Sequence, residues 1–365
     1  MRVNIFDNGM RSKTGHHFDF CLRLAKSCRA RGYAVQVYGA IGTDANAIEA
    51  FAAADCPFVP LFSHFAYAPL DLGANIMAAL ERQARVMAGE LSHAAPAELN
   101  LFPALKPLEF YGVSLSDLAG TCVGYAHAEP FHQGPVAAQV WRIASEHVRR
   151  RGLKFRMGAI DPLIAEFLAG YLDGIPVEAF PIALDGPGKA EYARTLTTIG
   201  FFGSQREERG FDIVAPLAEQ LLALGHRVVL HDTHGRFTNN NGNPKLHILD
   251  NFVDDLGTEM ARCDAIVCPM RPDQYAHRMS GIVCNAMACG IPVVLPAGTL
   301  AAARFGASGA VRCYLEHSVG AILQAVQGLG REYSRYAEAA RQGALQWRAT
   351  HGMERFVDKV TGLPA

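Results

Sequence analysis

The hydrophobic positions of this chain follow two patterns that alternate along its length. Short continuous apolar runs, typical of parallel strands buried on both faces, occur at 3–6, 34–40, 99–103, 121–127 and 155–160. Between them, apolar residues recur every three to four positions, which predicts helices over 16–31 and 71–89. This alternation predicts an α/β fold built on parallel sheets.

A second series of strands begins after a stretch that has no periodic pattern. Residues 174–188 are rich in Pro and Gly, which predicts a linker between two domains. Apolar runs then resume at 198–203, 227–231, 246–249, 264–269 and 291–295. Residues 318–365 have helical patterns, with Trp347 and Phe356 as apolar anchors. A chain of 365 residues is also longer than one typical core accommodates.

The segment from Tyr275 to Pro292 predicts a binding site for an anion. The run at 264–269 leads through a loop to Ser280, a good N-cap, and to a helix that Gly290 ends. This order directs free N–H groups and the positive end of the helix dipole at the carboxyl edge of the sheet. The alternative is an ordinary βαβ unit with nothing bound, because any parallel sheet contains such units.

The composition excludes several classes of protein. Half of the residues are hydrophobic and 19% are charged, as in a globular chain. The net charge of −1 gives no bulk electrostatic case for binding nucleic acid or an anionic membrane. A local basic patch, Arg149 to Arg151 with Lys154 and Arg156, indicates either a solvated helix end or a peripheral contact with a phosphate or lipid headgroup.

The cysteines and the first residues predict the compartment. The nine cysteines are odd in number, scattered, and mostly within apolar patterns, which is typical of small reduced core residues in a cytoplasmic protein. The first strand begins directly after Met1, so we expect no signal peptide. No window approaches the roughly 20 apolar residues of a membrane span.

The loop after the first strand is a candidate for ligand contact. Gly9 and Gly15 let the backbone come close to a ligand. Their spacing does not match the fingerprint GxGxxG, so no nicotinamide or flavin cofactor is expected. His16 and His17 are adjacent on the predicted helix, and therefore at most one of them points at the site.

A polar cluster of His127, Glu129 and His132 follows the run at 121–127. Open α/β sheets keep their chemistry at the carboxyl ends of their strands, which makes His127 a candidate functional residue. The alternative is a turn residue bonded to the backbone. The spacing of the cluster is not that of a zinc helix, and neither is that of His231 and His234, so no metal is expected.

Two arginines lie in the polar loop that follows the run at 198–203. Arg206 and Arg209 precede a helix, where planar guanidinium groups are well placed to clamp phosphate oxygens. The alternative is that they form surface ion pairs with Glu207 and Glu208, worth less than about 1 kcal/mol.

These pieces occur in an order that resembles a known family. A strand ending in Phe-Phe-Gly at 201–203, an arginine loop, the run at 263–269 and SGIVCNAMACGIPVV at 280–294 resemble the nucleotide-binding half of the group-1, family 4 (retaining) glycosyltransferases of the GT-B fold. The first half is similar to their acceptor domain, with a glycine loop after strand one and a His after a later strand. The likeness extends over nearly the whole chain and is strongest at 280–294.

The resemblance implies two Rossmann-like, doubly wound domains facing across a cleft, with a C-terminal helix that crosses back to the first domain. Residues 1–180 would bind the acceptor, 181–345 would bind the nucleotide sugar, and 346–365 would form the returning helix. The activity implied is that of a hexosyltransferase in polysaccharide biosynthesis, acting with retention.

The resemblance also assigns residues to the donor diphosphate. In that family the helix N-terminus binds this group, so Ser280, Gly281 and Ile282 would supply backbone donors. Arg209 occupies the family's lysine position in the Phe-Phe-Gly loop. The family's arginine position, directly after Gly203, is Ser204 in this chain, and Arg206 would substitute for it from two residues further on.

Two further positions depart from the family pattern. The family's two glutamates, one near the donor sugar and one at the ribose, correspond to His277 and Asn285. Asn285 would hydrogen-bond the ribose and His277 would contact the sugar or phosphate. His127 matches the family's His near the reacting carbon, and Gly15 lies in the glycine loop of the acceptor domain.

The implied reaction needs a nucleotide-diphosphate sugar as donor substrate, no cofactor and no metal, since protein cations stabilise the leaving diphosphate. The acceptor would be a hydroxyl of a glycan, a lipid-linked molecule or another compound. Two alternatives stay open. One is a non-catalytic relative that binds a nucleotide sugar, and the other is another GT-B enzyme, a phosphorylase or a sugar-nucleotide epimerase. An epimerase would need acid–base carboxylates, for which Glu129 and Asp7 are the candidates.

Overall fold

The computed structural model describes residues 1–13, 16–70, 75–237, 242–251, 253 and 255–362. The chain forms two compact units, one of Met1–Ala183 with Met353–Ala365 and one of Leu184–Gly352. Each contains one parallel sheet with helices between successive strands. The chain passes from the first unit to the second at 183–184 and returns to the first at 352–353.

The first unit is built on a seven-stranded sheet of order β3-β2-β1-β4-β5-β6-β7. Its order reverses between β1 and β4, which is the switch point of a doubly wound sheet. Its strands are β1 (Arg2–Asp7), β2 (Ala34–Ala40), β3 (Phe58–Phe62), β4 (Leu99–Phe102), β5 (Thr121–Ala126), β6 (Phe155–Ala159) and β7 (Val177–Ala179). Its first six helices are α1 (His16–Ala30), α2 (Ala45–Ala53), α3 (Ile76–Leu91), α4 (Pro107–Leu115), α5 (Pro135–Arg151) and α6 (Pro162–Tyr171).

Two sequence-based predictions for this unit differ from the structure in detail. The stretch 174–188, predicted as a linker without a periodic pattern, contains β7, in which Val177 pairs with Met157 of β6, and the chain changes unit within it, at 183–184. A strand of three residues is too short to show a hydrophobic period. The helix predicted over 71–89 begins at Ile76, where the side chain of Asn75 accepts from the N–H of Ala78, and ends at Leu91. Residues 71–74 lie outside the described residues.

The second unit is built on a six-stranded sheet of order β10-β9-β8-β11-β12-β13. Its strands are β8 (Thr198–Phe201), β9 (Arg227–His231), β10 (Leu246–Leu249), β11 (Ala265–Val267), β12 (Val293–Pro296) and β13 (Val311–Tyr314). Its helices are α7 (Phe211–Ala223), α8 (Leu256–Ala261), α9 (Pro272–Tyr275), α10 (Gly281–Cys289), α11 (Leu300–Phe305), α12 (Val319–Arg331) and α13 (Tyr333–Thr350). The sheet packs through its apolar side chains on α7, α12 and the start of α13.

A last helix, α14 (Met353–Thr361), returns to the first unit and packs on α1, as the resemblance implies. Phe356 is buried there, with its ring centre 5.0 Å from that of Tyr125. Arg31 of α1 donates to Asp358 from Nη2 at 2.6 Å and from Nε at 3.0 Å. The other predicted anchor, Trp347, lies in α13 of the second unit, where Nε1 donates to the carbonyl of Leu184 at 2.8 Å.

Among the described residues, no helix combines the length and the apolar character that crossing a membrane requires. The three arginines of the basic patch close α5 and each pairs with a carboxylate, Arg149 with Asp173, Arg150 with Glu146 and Arg151 with Asp117. This arrangement is the solvated helix end that the sequence left as one of two interpretations.

We predict that Arg31→Ala lowers the free energy of unfolding by about 2 kcal/mol, because it removes a two-pronged, partly buried charge-assisted contact between α1 and α14. Chemical denaturation measures this value. Arg29→Ala is the matched control: Arg29 pairs with the exposed Asp55, and its loss is expected to cost less than about 1 kcal/mol. Equal effects of the two variants would contradict a specific role of Arg31 in holding α14.

Candidate functional site

The predicted site residues of the second unit lie in the loop that follows β8 and in the segment after β11 that leads into α10. In the first unit, His127 directly follows β5. In a parallel sheet such loops share one edge, where ligands of open α/β folds bind. One predicted residue, Gly15, lies outside the described residues.

Gly203 brings three of the predicted elements of the second unit together. Its φ is +100°, which side chains rarely adopt, and a Cβ there would lie 2.2 Å from Nη1 of Arg209 and 3.0 Å from Cγ1 of Ile282. The backbone at Gly203 therefore lies directly against the guanidinium group and the first turn of α10. This close approach is possible only with glycine.

Gly210 fixes the turn that carries Arg209. A short 3₁₀ turn spans Glu207–Arg209, and Gly210 follows it with a φ of +70°. A Cβ at Gly210 would lie 1.6 Å from the carbonyl oxygen of Pro269, in the loop after β11. The backbone of Gly210 therefore packs directly on the backbone of Pro269, which holds the turn against the end of β11.

The two predicted arginines have different surroundings. Arg206 is 48% exposed and its Nε lies 3.0 Å from Oε1 of Glu208, which is the surface ion pair that the sequence left as an alternative. Arg209 is half-buried; its Nε is enclosed and has no hydrogen-bond partner among the described residues, and no described carboxylate pairs with it. A buried cationic donor without a partner is costly, which makes Arg209 a candidate for contact with an anion.

The start of α10 has the predicted capping geometry. Ser280 is the N-cap and its Oγ accepts from the N–H of Val283, and Gly290 ends the helix with a φ of +76°. The N–H groups of Gly281 and Ile282 precede the first hydrogen bond of the helix, from Cys284 to Ser280. Gly281 is exposed and faces open space, so these donors and the positive helix end are accessible to a ligand.

A cavity lies beside this loop in the second unit. The loop from Gly203 to Gln205 lines it together with Arg209, Phe211, His231 and Pro269. His231 was considered only for a metal; its Nε2 lies 3.2 Å from the carbonyl of Asn251, and burial lowers its pKa. No group of three or more His, Cys, Asp or Glu in the described part of the chain is placed to hold a metal ion.

His277 and Asn285 lie on either side of the start of α10. Asn285 is half-buried and follows Gly281 by four positions, so the two share a face of the helix. His277 is exposed in the loop after α9. Neither position carries a carboxylate, in agreement with the departure noted in the sequence.

Two basic residues near this loop were not identified from the sequence. Arg271 lies 3.1 Å from Glu207, and Arg278 lies 3.8 Å from Glu208 while its guanidinium stacks on the ring of Tyr275 at 4.2 Å. Glu207 and Glu208 are therefore surrounded by cations other than Arg209. The charged residues can be counted in the sequence, but the sequence does not show which arginine pairs with which glutamate.

In the first unit, His127 is held by the backbone. Its Nε2 lies 3.0 Å from the carbonyl oxygen of Pro103, and since a carbonyl only accepts, Nε2 carries the proton of this bond. Burial lowers the pKa of His127 from its ordinary value, and the nearby His17 and Lys106 lower it further. The sequence left open that His127 is a turn residue bonded to the backbone, and the structure has this bond. The same bond orients the imidazole.

A buried pair of polar side chains lies close to His127. Nδ1 of His17 lies 2.8 Å and 2.9 Å from the two carboxylate oxygens of Asp7, and its Nε2 lies 2.6 Å from the hydroxyl of Tyr67. Of the two adjacent histidines on α1, His17 is thus directed inward; the side chain of His16 is outside the described residues. Tyr67 was not identified from the sequence, which has no local signal for a contact across 50 positions.

The comparison with solved structures shows the fold of this chain. No family model matches the chain, and no curated protein matches it. Solved structures match over nearly the whole length. Sucrose-phosphate synthase from Thermosynechococcus elongatus is 12% identical, with 99% of this chain and 98% of that chain covered and a TM-score of 0.71. HepE of Anabaena in complex with UDP is 14% identical, with 99% of each chain covered and a TM-score of 0.68, and the glycosyltransferase SnogD from Streptomyces nogalater is 19% identical, with 100% of each chain covered and a TM-score of 0.64. The chain has the GT-B fold of these glycosyltransferases, as its order of elements predicts.

Proposed function

We propose that the protein is a glycosyltransferase of the hexosyl type, which moves a sugar from a nucleotide-diphosphate donor to a hydroxyl of a glycan, a lipid-linked molecule or another acceptor. The single observation that carries the proposal is Arg209, a half-buried guanidinium that pairs with no described carboxylate and lies against the loop at Gly203 and the first turn of α10. HepE, one of the structural neighbours, was solved with UDP and with UDP-glucose.

The chemistry of the reaction explains the arrangement. When the bond between the anomeric carbon and the phosphate oxygen breaks, negative charge develops on the diphosphate. Preorganised donors aimed at that charge lower the barrier without having to reorganise. Arg209 and the N–H groups of Gly281 and Ile282 supply such donors from two elements of one unit, and Ser280 holds the helix start in place.

The other predicted residues have smaller parts in this proposal. Arg206 binds the diphosphate only if it first releases Glu208, so it exchanges one anionic partner for another. Asn285 hydrogen-bonds the ribose, and His277 contacts the sugar or phosphate. For His127 the role comes from the family resemblance alone, which implies a contact with the donor sugar. Retention and a role in polysaccharide biosynthesis follow from the family resemblance, and no metal is required because protein donors stabilise the leaving group.

A second candidate function is supported by one specific observation. His277 and Asn285 stand where the resembled family has two glutamates, so the charge-assisted contacts to sugar and ribose are missing. A non-catalytic relative that binds a nucleotide sugar fits this departure. It binds without turnover, whereas the leading proposal requires release of nucleoside diphosphate.

We expect one nucleoside diphosphate to raise the melting temperature in a screen of UDP, GDP, ADP, TDP and CMP with their common sugar conjugates. A ligand that binds only the folded state adds about 2.7 kcal/mol of stability at 100 times its Kd. Release of the diphosphate from the matching sugar conjugate then distinguishes an enzyme from a binding protein. Absence of any response would contradict both candidates.

Arg209→Ala is expected to lower kcat by roughly 100- to 1,000-fold, the usual loss when one donor to developing charge is removed. It should also reduce the stabilisation by the bound diphosphate. Arg227→Ala is the matched control, because Arg227 is exposed at the start of β9, the opposite edge of the same sheet. Unchanged turnover in Arg209→Ala would remove Arg209 from the site.

Asn285→Ala is expected to weaken nucleoside diphosphate binding about tenfold, the value of one hydrogen bond to a neutral group. Asn285→Glu is expected to tighten it, because a carboxylate makes a stronger, charge-assisted bond to a ribose hydroxyl. Isothermal titration calorimetry measures both constants. If the Kd of the Ala variant equals that of the unmodified protein, Asn285 does not contact the ribose.

A further inference from the structure

Three carboxylates lie next to Arg209 in the sequence, and each pairs with a cation other than Arg209. Glu207 and Glu208 belong to the short turn that carries Arg209, and Asp212 lies in the first turn of α7. A carboxylate bound to Arg209 would compete with any anion that approaches it. The arrangement that keeps these three groups occupied therefore affects how Arg209 binds a ligand.

A carboxylate in this turn is within reach of a residue two positions away. Arg206 shows this directly, because its Nε lies 3.0 Å from Oε1 of Glu208. Glu207 precedes Arg209 by the same interval, and its side chain is 78% exposed, so packing does not hold it away from the guanidinium group. Another interaction must keep Glu207 from Arg209.

Arg271, in the segment after β11, supplies this interaction. Its Nη2 lies 3.1 Å from Oε1 of Glu207 and 3.6 Å from Oδ2 of Asp212. One guanidinium group thus pairs with carboxylates on both sides of Gly210. The backbone N–H of Arg271 also donates to the carbonyl of Glu208 at 3.0 Å, which fixes Arg271 against the turn.

Glu208 is held in a similar way by two other arginines. Its Oε1 lies 3.0 Å from Nε of Arg206 and 3.8 Å from Nη2 of Arg278. The guanidinium group of Arg278 is itself fixed, since it stacks on the buried ring of Tyr275 at 4.2 Å. Exposed ion pairs of this kind add little to folding stability, so their effect lies in where they place negative charge.

We propose that Arg271 is a positioning residue that holds Glu207 and Asp212 away from Arg209, so that Arg209 stays available to the donor diphosphate. The inference rests on the proposed function, because it concerns the same anion site. When Arg271 is removed, Glu207 turns to Arg209 and competes with the diphosphate for it. Arg271 thus acts on the ligand through Arg209.

Arg271→Gln tests the proposal in the full chain, with the nucleoside diphosphate that binds in the thermal screen as ligand. We expect its Kd to rise about fivefold, the effect of one competing ion pair near the surface. Arg335→Gln is the matched control, because Arg335 is exposed and pairs with Glu332 at 3.0 Å in the same unit. Isothermal titration calorimetry measures the constants, and a Kd that stays the same in Arg271→Gln would overturn the proposal.

A second substitution separates competition from loss of charge. Arg271→Gln combined with Glu207→Gln lacks the competing carboxylate, so we expect its Kd to return to within about twofold of that of the unmodified protein. Arg271→Gln combined with Asp273→Asn has the same net charge, but Asp273 is an exposed carboxylate of α9 that takes no part in these pairs, so we expect its Kd to stay raised.

Two results of this comparison would overturn the positioning role. Equally weak binding by both double variants means that Arg271 contacts the diphosphate itself. Recovery in both means that net charge alone sets the affinity.

Failure of the proposed function has a different signature. If Arg209→Ala leaves the Kd of the diphosphate unchanged, the ligand binds elsewhere, and both the proposed site and the positioning role are overturned. If Arg209→Ala weakens binding whereas Arg271→Gln does not, only the positioning role is overturned.

A measurement without ligand covers the case in which no diphosphate binds. Nitrogen NMR of arginine-labelled protein, with the side-chain signals of Arg209 assigned through Arg209→Ala, reports the surroundings of that group. We expect these signals to shift in Arg271→Gln and to return when Glu207→Gln is added. Signals that do not shift in Arg271→Gln overturn the positioning role whether or not a nucleotide binds. Shifted signals without binding of any diphosphate overturn the proposed function, while the exchange of partners by Glu207 is confirmed.

Discussion

Parallel pairing of the described strands is the constraint on which the rest of the structure depends. Successive strands in each sheet point the same way, so every loop that leaves a strand and every helix N-terminus that follows it lie at the same edge. Backbone donors and polar side chains therefore lie at this edge as a direct result of the parallel pairing. The start of α10 and the ends of β1 and β5 occupy that edge in their respective units.

Within the second unit, the distribution of charge gives one arginine a distinct role. Arg206, Arg271 and Arg278 are paired with carboxylates of the turn before α7, and such exposed pairs contribute little energy. Arg209 differs because it pairs with no carboxylate of the described residues, while the backbone of Gly203 lies directly against its guanidinium group. A partly desolvated cation interacts more strongly with an incoming anion than a hydrated one does.

The sequence predicts the parts of the structure that are encoded locally. Ser280 and Gly290 define α10 because capping depends on a few adjacent residues, and the apolar runs define most strands for the same reason. The three-residue strand β7 escaped prediction because it is too short to show a pattern and lies between prolines. The sequence offers the same surface ion pairs to Arg206 and Arg209, and only the folded loop shows that Arg206 is the one that pairs with a described carboxylate.

The pairing of Asp7 with His17 and Tyr67 is another feature that depends on tertiary structure. The three residues are spread over 60 positions of the chain, and their contact requires β1, α1 and the segment after β3 to be in place. The sequence does indicate that polar residues follow buried strands, which is why Asp7 and one of the two adjacent histidines were considered. It contains no signal that selects Tyr67 over the other tyrosines.

The return of α14 to the first unit has a consequence for synthesis in the cell. Arg31 and Asp358 are separated by 327 positions, so the ribosome has made the whole of the second unit before the partner of Arg31 emerges. Until then, α1 exposes the apolar surface that Phe356 later covers. The first unit is therefore started first and completed last, and during translation it is the part of the nascent chain with the longest exposure to chaperones.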